Sequence, residues 1–195
     1  MTANFQRVAL LALSLAFGMS GRAAERVIEA TVVVKAPVAQ VWTAWTTTEG
    51  IKTFFAPDAR IELRVDGPFE VYINPLAEPG AKGADDMRIL AFQEHKMLAF
   101  TWNAPPHLPE VRQHRTHVVV RFTELPGDQT RVELHHDGWG EGAEWDLAFK
   151  YFSGAWPKVL GNLQKRFAEG PVDWSEWMTS LRKYMEQEKA KKSGS

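Results

Sequence analysis

Ile28, Ala30, Val32 and Val34 alternate with Glu29, Thr31, Val33 and Lys35, a period of two that predicts a strand with one apolar face. Ala36-Pro37 stops it. Pro37 suits the first turn of a helix, where its missing amide hydrogen would be unpaired anyway, and Val38, Val41, Trp42 and Trp45 then recur at helical spacing. Both tryptophans read as core. Thr46 to Glu49 starts a second short helix that ends near Phe55. Ile61, Leu63 and Val65 against Arg60, Glu62 and Arg64 predict another two-faced strand. Asp66-Gly67 turns it into a return strand through Phe69, Val71 and Ile73. Pro79, Gly80 and Gly83 mark a loop from Pro75 to Asp85. Strands follow over Met87 to Gln93 and Met97 to Asn103, and a Pro-rich loop with Pro105, Pro106 and Pro109 comes next. The last strands cover His114 to Phe122 and Thr130 to Gly138. Seven strands in a meander, with two short helices after the first, predict an α+β fold on an antiparallel sheet.

Past Ala143 the period changes. Trp145, Phe149, Phe152, Trp156, Val159, Leu163 and Phe167 share one face of a long helix, and Pro157 is expected to interrupt and bend it near Ser153 to Trp156. Gly170-Pro171 ends this helix. Trp174, Trp177, Leu181 and Tyr184 mark another amphipathic helix before the basic tail Lys189 to Lys192. Residues 25–169 therefore read as one domain and 170–195 as an added helix and tail. Ahead of both, Arg7, an apolar run from Val8 to Met19 and small residues at Gly21 and Ala23 form a Sec-type signal pattern over residues 1–24. Its apolar run of about a dozen residues is too short for a permanent membrane anchor, which needs about 20. Removing it takes the net charge from -1 to -3, because Arg7 and Arg22 leave 21 of 23 basic residues against 24 acidic ones. A mildly acidic protein of the periplasm or the secreted fraction is expected.

Near-neutral charge argues against nucleic acid as a partner, since phosphate affinity needs clustered Lys and Arg. The chain has no Cys, which excludes thiol nucleophiles, thiolate metal sites and disulfides. A total of 8 Trp, 11 Phe and 3 Tyr must pack into a core or line a cavity. No glycine-rich phosphate loop or nucleophile elbow is present, and no cofactor or metal is expected.

Several strings in order resemble one family: Ala36-Pro37 with Val41-Trp42, Phe54-Phe55-Ala56-Pro57, Leu98 to Trp102, His136-Asp137-Gly138-Trp139 and Gly154-Ala155-Trp156. The chain is similar over about Val27 to Phe167 to the activator of ninety-kilodalton heat-shock protein ATPase homologue (AHSA-type) family, of the START/Bet v-like (SRPBCC) superfamily. It departs at Asp66-Gly67-Pro68-Phe69, where the family has a Pro-Gly-Gly turn, and Ala155 is inserted between the Gly and Trp of the long helix. The resemblance implies a helix-grip fold: a curved antiparallel sheet wrapped around the long C-terminal helix, with a cavity between them. It does not by itself carry a function. An exported protein would meet neither a cytosolic chaperone nor a steady supply of ATP.

Strand parity selects the residues that would line such a cavity. Phe100 and Trp102 point toward Phe152 and Trp156 of the helix. Thr116 and His114 extend the apolar face of Val118, Val120 and Phe122, while His136 shares the inward face with Val132 and Leu134. His114 and His136 are thus expected to meet at a polar end, as satisfied core or rim imidazoles, as ligand contacts or as an acid/base pair. Trp139 reads as core or cavity wall. Two histidines without an inward carboxylate make a poor metal site. Glu141 and Glu144 read as charges favourable to the N-terminus of the long helix. Three functions stay open: binding of a small hydrophobic or aromatic molecule, a cyclase/dehydratase-type reaction using His136 or His114, and a protein-interaction module built on the terminal helix.

Overall fold

The computed structural model describes residues 26–193, so the signal-like segment lies outside the described residues. The elements in order are β1 (Ile28–Val34), α1 (Val38–Thr46), α2 (Thr48–Lys52), β2 (Asp58–Ile61), β3 (Phe69–Tyr72), β4 (Gly83–Ala84), β5 (Ile89–Gln93), β6 (Met97–Trp102), α3 (Pro109–Arg112), β7 (Thr116–Leu125), β8 (Gln129–Asp137), α4 (Ala143–Glu169) and α5 (Ser175–Ser193). The fold is α+β and antiparallel throughout, with a long C-terminal helix and short helices after the first strand. The two-residue β4 and the single turn of α3 sit in segments whose proline and glycine content reads as loop.

The strands form two sheets, one ordered β1-β8-β7-β6-β5 and the other β2-β3-β4. Pairing the first strand with the last sets Ile28 opposite His136 and Val32 opposite Val132, so the period-two faces of both strands coincide. Along β8 Val132, Leu134 and His136 are buried while their neighbours are half-exposed. The sheets meet where the turn at Gly67 bonds across to β5: Asp66 N donates to Ile89 O at 2.8 Å and Ile89 N to Gly67 O at 2.9 Å. Gly67 is required there, because a Cβ would come within 2.2 Å of the Glu62 carbonyl oxygen.

Two strand expectations are corrected by this turn chemistry. The strand through Ile61 does not continue to Leu63 and Val65. Arg64 N donates to Glu62 O and Gly67 N to Arg64 O, each at 2.8 Å, so the chain curls back after Ile61. Leu63 and Val65 are left exposed. His114 likewise does not extend the buried face of β7. The turn after α3 holds it, with His114 N donating to Val111 O at 3.0 Å, and the strand starts only at Thr116.

Helix α4 runs through Pro157 without a break. Ser153 and Pro157 both lie on its exposed side, so the carbonyl that loses its amide partner faces water, where its loss costs least. The opposite side buries Phe152, Trp156, Leu160 and Leu163 against the sheets. Rings fill the space between: Phe69 stacks on Phe100 at 3.9 Å, and Phe55 and Trp156 lie 5.8 and 5.3 Å from Trp102. Trp42 and Trp45 are core, as their spacing suggests.

Helix α5 returns over the small sheet. Val172 N donates to Thr53 O, and the indole N–H groups of Trp174 and Trp177 donate to Lys52 O and Ile73 O. Leu181 is buried against the domain, while the rings of Trp177 and Tyr184 stay exposed. Among the described residues no helix is long and apolar enough to cross a membrane.

Candidate functional site

His136 sits in a closed chain of hydrogen bonds. The indole Nε1–H of Trp156 donates to His136 Nδ1 at 2.8 Å, so that nitrogen carries no proton and the other, Nε2, does. Nε2 then donates to Thr116 Oγ1 at 2.7 Å, and the Thr116 hydroxyl donates to Trp102 O at 3.2 Å. The His136 carbonyl oxygen accepts from Trp139 Nε1 at 2.9 Å, with the two rings 4.2 Å apart. Burial, with a smaller push from His117, lowers the imidazole pKa from 6.5 to about 3. The ring is neutral at physiological pH, and both nitrogens are committed to protein partners. This geometry makes His136 a core imidazole and gives it no free nitrogen for acid/base work.

His114 does not join it. It is exposed, and its ring packs 5.6 Å from Trp145 of α4. The expected polar end with two facing histidines is therefore one buried His with Thr116 and Trp156. Among the described residues no group of three His, Asp or Glu is arranged to hold a metal ion.

Open space lies at the other side of Trp102. A pocket of about 500 Å³ is bounded by the loop from Ile73 to Ala84, the segment from Trp102 to His107, Tyr151 and Phe152 of α4, and Tyr184, Met185 and Glu188 of α5. That volume is in the range of small-molecule sites. Of the candidates from the sequence, Trp102 and Phe152 line this pocket. Phe100, Thr116, His136 and Trp156 are packed in the ring-filled interior, and His114 is on the surface.

The pocket walls are held by a strut without a sequence signal. Asp85 Oδ1 accepts from Gly80 N and Oδ2 from Gly83 N, both at 2.9 Å, and Arg112 Nη2 reaches Oδ2 at 3.1 Å. Arg112 also donates to the carbonyl oxygens of Gly80, Gly83 and Ala104, tying both rim loops together. Asp85 and Arg112 are 27 residues apart, so no local pattern links them. Gly83 is needed at its position, since a Cβ would meet Val71 O at 2.5 Å. Glu144 has a second role beside its place in the first turn of α4: its Oε2 accepts from Val111 N at 2.8 Å and caps α3 under the same rim.

One buried donor in this region has no partner. Trp102 is 5% exposed and its Nε1–H makes no hydrogen bond. A polar group left so is costly and asks for an explanation.

A family model described as activator of Hsp90 ATPase homolog 1-like protein matches residues 35–168. The chain belongs to this family. Solved structures of similar fold include protein MLL2253 of Mesorhizobium loti, with 19% identity over 75% of this chain and all of that one, at TM-score 0.59. The Aha1 dimer of Colwellia psychrerythraea is 18% identical over 74% of this chain and 98% of its own, at TM-score 0.58. CalU16 of Micromonospora echinospora is 23% identical over 82% and 83%, at TM-score 0.55. These likenesses establish the helix-grip fold. No curated protein matches the chain. The matched region ends at residue 168, before α5 begins, so the α5 wall of the pocket lies outside it.

Proposed function

We propose that this AHSA1-family protein binds a small apolar or aromatic molecule in the pocket beneath α5, and that it does so after export to the periplasm or beyond. The observation that carries the binding reading is the pocket itself, with Trp102, Tyr151, Phe152 and Tyr184 around about 500 Å³ of space. Aromatic walls with few polar groups suit such a ligand. The cyclase/dehydratase alternative loses support because His136 is neutral, enclosed and fully bonded, and His114 faces away. The interaction-module alternative is weakened in part, because Leu181 is buried and the indole N–H groups of Trp174 and Trp177 are bonded to the domain, while the rings of Trp177 and Tyr184 stay exposed. The export reading rests on the signal-like pattern of residues 1–24.

The test is titration of the full mature chain with N-phenyl-1-naphthylamine, a neutral fluorescent arene. Saturable one-site binding that is weakened by Phe152→Leu or Tyr151→Ala, in variants that keep the wild-type melting curve, supports the pocket. Failure of the folded wild type to bind this probe overturns it. Export is tested by N-terminal sequencing of protein from its native host: a start at Ala24 or Glu25 supports it, and an intact Met1 or Thr2 defeats it.

A further inference from the structure

We infer that the ligand of this pocket is an aromatic carboxylate, with Lys82 as its counter-charge. This rests on the binding reading above. One charged group points to it. Lys82 lines the pocket, is half-buried and has no ion-pair partner among the described residues. Its ammonium lies 5.1 Å from the centre of the Tyr72 ring, a cation–π contact that holds the charge while leaving it uncompensated. Its backbone is pinned as well, since Lys82 O accepts from Asn74 N at 2.8 Å. An unmatched ammonium at the wall of an aromatic pocket is complemented by a ligand that brings acceptors and negative charge.

The other charged groups around the pocket do not reverse this. Glu188 accepts from Lys191 at 2.8 Å, and Glu78 is exposed on the outer loop. His107 lies at the rim with its ring 6.1 Å from Tyr151, edge to face. The rings of Tyr151, Phe152 and Tyr184 supply the apolar contact for an arene, and a carboxylate gains a charge-assisted bond from Lys82 in a partly dehydrated setting.

Three ligands that differ only in charge decide it: 2-naphthoate, 2-naphthamide and 2-naphthylmethylammonium, each measured by displacement of N-phenyl-1-naphthylamine from the full chain. Naphthoate should bind about tenfold more tightly than the amide, and the cation most weakly. Lys82→Met should bring naphthoate down to the level of the amide and leave the amide unchanged, while Lys82→Arg keeps the preference and shows that the fold tolerates the site. Equal affinities for the three, or tightest binding of the cation, overturns the inference and leaves the pocket standing. A preference for naphthoate that survives Lys82→Met also overturns it. If the neutral probe itself does not bind, the pocket reading fails and the charge preference with it.

Discussion

Around Trp156 the inner half of α4 meets rings on every side, with Trp102 at 5.3 Å, Phe55 at 5.8 Å and the His136 imidazole accepting its indole N–H. About one turn earlier, Tyr151 and Phe152 border open space instead, and the wall opposite is a helix held by a few side chains. Both regions draw on aromatic residues of the same helix, and Trp102 belongs to both. The difference lies in what completes them. The inner region closes on strands whose register is set by backbone bonds, and its side chains are buried against one another. The outer region closes on two loops and α5, and on either side of α5 lies a space, of about 500 Å³ toward α4 and about 560 Å³ toward Pro57 and Arg182. Filled space stabilises the fold, and unfilled space is available to a ligand.

That contrast can be broken most forcefully at Trp156. Replacing it with Ala removes a residue that is 1% exposed and strands His136 Nδ1, and should cost roughly 3 to 5 kcal/mol in urea unfolding. A loss under 1 kcal/mol would mean that the inner region is not the packed half. Arg112→Met comes next. It leaves Asp85 buried with two amide partners and no cation, and should cost about 3 kcal/mol. It should also weaken the neutral naphthyl probe, because both rim loops lose their tie.

His136 gives a smaller effect that depends on pH. Its pKa is depressed from 6.5 to about 3 in the folded protein, so below pH 6.5 the unfolded chain takes up a proton that the folded one refuses. Its contribution to stability is complete above pH 6.5 and is lost as pH falls toward 3, at about 1.4 kcal/mol per pH unit. His136→Gln offers one acceptor and one donor of similar reach, and between pH 7.5 and pH 5 it should lose about 2 kcal/mol less stability than the wild type. Equal losses in both would show that the imidazole is not a buried neutral group. The smallest stability effect belongs to the outer region: Tyr184→Ala, at an exposed site on α5, should change unfolding free energy by no more than about 0.5 kcal/mol and still weaken probe binding several-fold. Unchanged probe affinity would remove α5 from the binding wall.

Local patterns in the chain carry most of the fold. The alternation in β1 and β8, the helical spacing of Trp42 and Trp45 and the apolar stripe of α4 are each set by which residues must leave water together, and a period of two or of 3.6 expresses that within a few residues. The inward placement of Trp102, Thr116 and His136 follows from strand parity and that of Phe152 and Trp156 from helical spacing, and all five are buried. Parity fails where backbone bonds outrank it, as at Leu63 and Val65 between β2 and the Gly67 turn and at His114 behind α3. Nor does parity distinguish a ring that fills space from one that borders it. That was decided by distant pairings: Trp156 with His136, Asp85 with Arg112, and Trp177 with the carbonyl oxygen of Ile73, 104 residues earlier. A hydrogen bond or a void between segments so far apart depends on where the whole backbone comes to rest, which no window of neighbouring residues contains.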